Sequence, residues 1–127
     1  MMHAWFEKLT DQYIDGLSRL LPRIAEYIDI VQFGDDLSIQ LTLQISPTMY
    51  REMIKPYHKK IWSYVRKDYP KLKVFLYSCG AIYDTIPDLI DAGVQILNPV
   101  QISANRKDFR KLKSEFGKEL VFWGGCT

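Results

Sequence analysis

Cysteine and histidine are scarce: Cys79, Cys126, His3 and His58 are the full complement in 127 residues. Two thiols cannot build a disulfide framework. Each follows an apolar, strand-like run, the setting of reduced thiols in a cytosolic protein. No apolar run approaches the ~20 residues that a membrane-crossing helix needs. A basic region followed by an apolar stretch is missing from the N-terminus, so no secretory signal is expected. Charge of one sign is lacking too. Lys and Arg number 17 and Asp and Glu 15, and the resulting +2 is too small to argue for nucleic acid. The densest basic group, Lys107, Arg110, Lys111 and Lys113, suits the wet face of a helix. Phosphate loops, dinucleotide fingerprints and nucleophile elbows are absent. With 47% hydrophobic and 25% charged residues, the composition is that of one soluble globular domain, expected in the cytoplasm.

What is present is organised around Lys73-Val-Phe-Leu-Tyr-Ser-Cys79-Gly80. Val74, Phe75 and Leu76 read as a buried strand, and Ser78, Cys79 and Gly80 break it before an amphipathic stretch. Rigid strands that end in polar groups aim them into a shared mouth, as α/β enzymes do. The event recurs. Residues 28–33, 72–77, 94–97 and 120–123 are predicted strands, ending at Gly34-Asp35-Asp36, Ser78-Cys79-Gly80, Asn98-Pro99-Val100-Gln101 and Gly124-Gly125-Cys126.

Helices are expected before and between them. Trp5, Leu9, Tyr13, Leu17, Leu20, Leu21 and Ile24 recur at three- and four-residue spacings and predict one apolar face over residues 3–26. Thr10 or Asp11 can cap a second segment within it, and Pro22 is placed to kink or restart the helix. Ser46-Pro47 is a helix start. That helix runs to about Lys67, with Met49, Met53, Ile54, Tyr57, Ile61 and Val65 inward and a kink at Pro56. Helices over 82–91 and 107–116 end at Gly93 and Gly117. Tyr50, Tyr57, Tyr64, Trp62 and Trp5 fit packing at helical spacings; His3 and His58 are expected at the surface or in packing, with no evident partner. The order α-β-α-β-α-β-α-β implies parallel strands joined by crossover helices. A closed (β/α)8 barrel takes about 250 residues, so the expectation is an open sheet or a partial barrel.

The strand ends carry a resemblance. Gln32-Phe-Gly-Asp-Asp-Leu37, Ser46-Pro-Thr-Met-Tyr50 with Lys55-Pro-Tyr-His58, Tyr77-Ser-Cys-Gly80 with Ile86-Pro-Asp-Leu-Ile90, Asp91-Ala-Gly-Val94 with Ile96-Leu-Asn-Pro-Val-Gln101, and Phe116-Gly117 with Phe122-Trp-Gly-Gly125 come in that order. Together they resemble the uroporphyrinogen decarboxylase family, which also holds corrinoid-linked, zinc-dependent methyltransferases. The resemblance covers residues 1–127 as a single unit and implies a partial (β/α)8 TIM barrel of about four parallel strands, matching the later part of the family barrel. The family's essential N-terminal aspartate and carboxylate-binding arginines then have no counterpart here, and a further active-site histidine falls beyond Thr127. On that reading the chain is a fragment.

The resemblance implies decarboxylation of a tetrapyrrole or related acid in porphyrin biosynthesis, without a cofactor. The position matching Asp35 contacts substrate in the family. A carboxylate in a strand-end turn can orient a pyrrole N–H or move a proton, and of the adjacent Asp35 and Asp36 at most one faces the mouth. Tyr77, Ser78, Asn98 and Gln101 are the candidate substrate-binding residues; Asn98 and Gln101 can equally bond backbone in the Asn-Pro turn. The methyltransferase branch implies zinc on a His-x-Cys pair, with a methyl-corrinoid and a thiol as substrates. Here Cys79 matches and Tyr77 replaces the histidine, and Cys126 can substitute for a lost ligand. A third expectation is an inactive half-barrel that self-associates to cover its open edges.

Overall fold

A computed structural model describes residues 2–34, 46–78, 83–98 and 109–124. Asp35, Asp36, Cys79, Gln101 and Cys126 lie outside the described residues. The elements are α1 (Met2–Ile24), a 3-10 turn (Ala25–Tyr27), β1 (Ile30–Gly34), α2 (Pro47–Met49), a π turn (Tyr50–Ile54), α3 (Lys55–Asp68), β2 (Lys73–Tyr77), a 3-10 turn (Tyr83–Thr85), α4 (Ile86–Ala92), β3 (Ile96–Asn98), α5 (Phe109–Phe116) and β4 (Val121–Phe122). The four strands form one sheet in the order β1-β2-β3-β4, and every pairing is parallel. This is the α/β architecture expected, consistent with part of a (β/α)8 barrel.

Alternation along each strand sorts the core. Phe33 on β1, Val74 and Leu76 on β2 and Leu97 on β3 are buried. They join one apolar cluster with Leu17 and Leu21 of α1, Trp62 and Val65 of α3, Leu89 of α4 and Leu112 of α5. The opposite face carries Gln32, Phe75, Ile96 and Val121 in one row, fixed by the register Gln32↔Phe75↔Ile96↔Val121. Gln32 and Val121 on that row are exposed.

Helix α1 departs from the single apolar face expected of it. Thr10, Leu17 and Leu21 are its buried residues, whereas Trp5, Leu9, Tyr13 and Leu20 are exposed. The apolar positions span too wide an arc for one neighbour to cover. Neither Thr10 nor Asp11 caps a second segment: α1 runs unbroken through both, Thr10 is buried, and Asp11 accepts from Lys60 Nζ on α3 at 2.8 Å. Pro22 sits in the last turn, after which the chain tightens into 3-10 geometry.

The second helical unit begins as expected, with Ser46 Oγ accepting from the Met49 backbone N–H at 3.1 Å and Pro47 in the first turn. The disturbance expected at Pro56 appears as the π turn just before α3. Proline cannot donate to the carbonyl four residues back, and its ring crowds that carbonyl. A wider turn over residues 50–54 relieves both. Met49, expected inward, is exposed.

Two devices lock the helices together. Arg51 Nε donates to both carboxylate oxygens of Asp88, at 3.0 and 2.9 Å, and Lys55 Nζ donates to Asp88 Oδ1 at 3.0 Å. Lys55 also reaches Asp91 at 3.0 Å, and Lys59 reaches it at 3.3 Å. Asp88 is 7% exposed, so this network joins the start of the long helical unit to the first turn of α4 from a semi-buried position. The second device is Gly93, which ends α4 with φ +124 and bonds back to the carbonyls of Leu89 and Ile90 at 3.1 Å. A Cβ there would stand 3.1 Å from Trp62 Cβ.

Two outcomes follow from these contacts. Gly93→Ala combines a positive φ with crowding against Trp62, and is expected to cost about 1–3 kcal/mol. Urea denaturation should show a lower midpoint with an unchanged slope. Hydrogen bonds from Lys55 and Lys59 hold the Asp91 carboxyl below the usual carboxylate range. A depressed folded pKa stabilises at pH above the unfolded value, about 3.9, and that stability is lost as pH falls through the folded value. Asp91→Asn should therefore lower stability modestly at neutral pH, where the contribution is fully present, and flatten the acid limb, so that the two proteins converge as pH falls well below about 4.

Candidate functional site

Parallel register brings the strand ends to one level. Gly34 pairs with Tyr77, Tyr77 pairs with Asn98, and the Trp123 N–H donates to the Leu97 carbonyl at 2.9 Å, which sets Trp123 beside Asn98. Gly34, Tyr77, Asn98 and Trp123 thus form a row across the C-terminal edge of the sheet. This is the edge at which α/β proteins of this type place their chemistry, because the loops that follow the strands converge there.

Two hydrogen bonds stiffen the row. The Ser78 N–H donates to the Asn98 carbonyl at 2.8 Å, and Asn98 Nδ2 donates to the Trp123 carbonyl at 2.7 Å. The second bond turns the Asn98 amide into a clasp between β3 and β4. A primary amide nitrogen carries two hydrogens, so one remains to donate elsewhere. Tyr77 is 38% exposed and Trp123 54%, both on the face opposite the helices. Phe75 lies beneath them, its ring edge-on to Trp123 with centroids 6.0 Å apart. The described part of the rim is therefore an aromatic surface with a phenol, an amide and an indole at its edge.

The candidate residues fall into three groups. Tyr77 and Asn98 stand side by side on the open face. Ser78 is fully buried: strand alternation turns it to the helix side with Val74 and Leu76, so its side chain does not line the open face. Asp35 directly follows Gly34 and Cys79 directly follows Ser78 in sequence, but these two, with Asp36, Gln101 and Cys126, lie outside the described residues. Among the described residues no group of three or more His, Cys, Asp or Glu side chains is placed to hold a metal ion.

Trp123 was not among the sequence candidates, although it closes the predicted strand 120–123 as Tyr77 closes the predicted strand 72–77. The histidines also have partners that were not expected. His58 Nδ1 and the Tyr50 hydroxyl are 3.1 Å apart, and the His58 ring stacks on Trp62 at 4.5 Å and 24°. His3 Nδ1 lies 2.7 Å from the Tyr57 hydroxyl. The positions 50, 58 and 62 share a helical face, which is the signal the sequence held.

Behind the rim, Tyr83 anchors the connection after β2 to α5. Its hydroxyl donates to the Glu115 carboxylate, its ring packs edge-on against Phe116 at 5.9 Å, and Lys111 Nζ stands 5.6 Å from the ring centroid. The hydrogen bond to Glu115 raises the Tyr83 phenol above its ordinary pKa. Together with Arg51–Asp88, this contact ties the turn before α4 and the first turn of α4 to their neighbours, the last turn of α5 and the π turn before α3.

No helix among the described residues is long and apolar enough to cross a membrane. No curated protein and no solved structure matches the chain. The family model described as uroporphyrinogen decarboxylase (URO-D) matches residues 1–125, nearly the whole chain and the same strand-end motifs that make up the rim, and the chain belongs to that family.

Proposed function

We propose that this chain serves the decarboxylation of a tetrapyrrole or a related polycarboxylic acid, without a cofactor. The observation that carries the reading is the single row of strand ends, in which the Tyr77 phenol and the Asn98 amide meet over an aromatic floor. A flat, electron-rich macrocycle suits aromatic surface, and its carboxylates suit neutral hydrogen-bond donors at the edge. In this reading the pyrrole ring takes a proton at the ring carbon next to the one bearing the carboxylated arm, which spreads positive charge onto the arm-bearing carbon. That carbon receives the electron pair released when the arm's C–CO2 bond breaks, CO2 leaves and an exocyclic methylene remains. A proton added to the methylene and loss of the proton first added to the ring restore the pyrrole, now bearing a methyl group. The substrate supplies its own electron sink, so no metal or organic cofactor is needed.

The roles divide by position. Asp35 orients the pyrrole N–H groups or moves the proton, because a carboxylate both accepts hydrogen bonds and stabilises the cationic ring. Tyr77, Asn98 and Gln101 donate to substrate carboxylates. Asp36 is the alternative carboxylate for the same catalytic role.

Zinc-dependent methyl transfer from a corrinoid to a thiol is the second reading, favoured by Cys79 two residues beyond Tyr77. A phenol is a poor zinc ligand compared with the imidazole it replaces, which leaves Cys79 and Cys126 to hold the ion.

Turnover of a reduced tetrapyrrole with carboxylated arms, followed by chromatography of the less-carboxylated product, tests the first reading. Asp35→Asn should lower kcat/KM by about 10²–10⁴-fold, while Tyr77→Phe and Asn98→Ala should act mainly on KM by about tenfold. Absence of product with the unaltered chain would sink it. Elemental analysis of the purified protein addresses the second reading. Stoichiometric zinc that disappears in Cys79→Ser would replace decarboxylation with methyl transfer, and a zinc-free protein would remove methyl transfer.

A further inference from the structure

Trp123 is left 54% exposed, yet its backbone is held on both sides of the residue. Its N–H donates to the Leu97 carbonyl at 2.9 Å, and its carbonyl accepts from Asn98 Nδ2 at 2.7 Å, so β3 takes both backbone groups. Leu97 pairs with Phe122, which sets Trp123 level with Asn98 and on the face that carries Tyr77. What fixes the residue there is its pairing with β3, and neither outer edge of the sheet enters.

The ring is held as well. Adjacent strands lie about 4.8 Å apart, so β2 and β4, with β3 between them, stand about 10 Å apart. The rings of Phe75 on β2 and of Trp123 nonetheless have centroids only 6.0 Å apart, at an interplanar angle of 66°. The two side chains therefore lean toward each other across β3, and their rings meet between the levels of Ile96 and Asn98. Edge-to-face contact of this kind is a preferred arrangement for aromatic pairs. Ile96 and Phe75 are themselves buried, so the aromatic surface that this part of the rim shows to the mouth is the indole.

Single exposed apolar residues are ordinary on a protein surface. One that is tied through both backbone groups and through its ring is not ordinary, because the ordering has been completed before any partner arrives. A contact made with such a group loses little freedom on binding.

We infer that Trp123 is the substrate-stacking residue of this mouth, its indole taking one pyrrole ring of the macrocycle. The inference rests on the tetrapyrrole reading for its ligand and adds the residue that makes the contact. A pyrrole ring is aromatic and flat, and offset stacking on indole suits it. Neutral donors such as Tyr77 and Asn98 can meet any carboxylate; the indole adds a requirement for a ring.

A free-base porphyrin with carboxylated arms, titrated into the purified chain and followed by its visible absorbance, tests the contact without turnover. Trp123→Leu should raise the dissociation constant about tenfold, while Trp123→Phe, which keeps a flat ring, should stay within about threefold of the unaltered chain. Trp5→Phe, a change to an exposed indole on α1, should leave binding unaltered. A second arm needs no variant. A tryptophan-selective nitrobenzyl bromide should label Trp5 and Trp123 of the free protein and spare the buried Trp62. Bound porphyrin should slow labelling of Trp123 at least about fivefold and leave Trp5 unchanged, read by peptide mass. This arm decides the matter should Trp123→Leu fail to fold. No porphyrin binding, Trp123 labelled equally fast with and without porphyrin, a folded Trp123→Leu that binds as tightly as the unaltered chain, or a Trp123→Phe as weak as Trp123→Leu would each overturn the inference. Shielding of Trp123 in a chain that releases no CO2 removes decarboxylation and leaves the contact standing. Turnover with Trp123 unshielded does the reverse.

Discussion

Unbroken parallel pairing in sequence order is the constraint on which the rest depends. Each strand bonds only to its neighbour in the chain, and the register sets Gly34, Tyr77 and Asn98 on one line. From that line follow the two faces. Val74, Leu76 and Leu97 must point to the helices, and Phe75, Tyr77 and Asn98 must point away. A slip of one residue in β2 would exchange these sets and send Lys73 and Tyr77 into the core. The apolar cluster that includes Leu21, Trp62, Val65 and Leu89 penalises such a slip heavily, since truncating residues of this kind typically costs 2–5 kcal/mol each. Packing on one side of the sheet therefore fixes the geometry of the rim on the other.

The helices are held by a mixture of apolar packing and a partly buried ionic network. Asp88 accepts from both Arg51 and Lys55, and Lys55 is shared with Asp91. Burial alone would lower the Lys55 pKa, but the two carboxylates outweigh it and the ammonium is held above its ordinary value. A raised lysine pKa stabilises the fold below the unfolded value of 10.5 and loses that contribution as pH climbs through the folded one. The π turn that Pro56 imposes belongs to the same arrangement, because the widened turn contains Arg51. Such widened turns recur where a helix must present a side chain off its regular track.

The rim differs in character from the core it stands on. Asn98 spends one amide hydrogen on the Trp123 carbonyl, Tyr77 and Trp123 stay half exposed, and the backbone beneath them is tied by the Ser78–Asn98 bond. Rigid backbone with polar and aromatic side chains left to the solvent is the arrangement on which a recognition surface can be preorganised.

Much of this organisation was legible in the chain. Alternating apolar runs and helical spacings named the four strands and the helices around them in order, but not the 3-10 and π turns. Ser46 and Pro47 marked a helix start, Gly93 a helix end and Pro56 a disturbance, because each acts through its own backbone chemistry within a turn of itself. The family resemblance rested on the same local words at the strand ends. Spacing could not say which apolar residues of α1 would be buried, since Trp5 and Leu17 look alike until a neighbour covers one of them. Nor could it pair His58 with Tyr50 and Trp62, Arg51 with Asp88, or Asn98 with Trp123. It placed Ser78 in the mouth, whereas strand alternation turns it inward. Local sequence thus determined the elements and their limits, through forces that act over a few residues. Only the tertiary structure decided faces, partners and edges, because those depend on which distant surface takes the place of water.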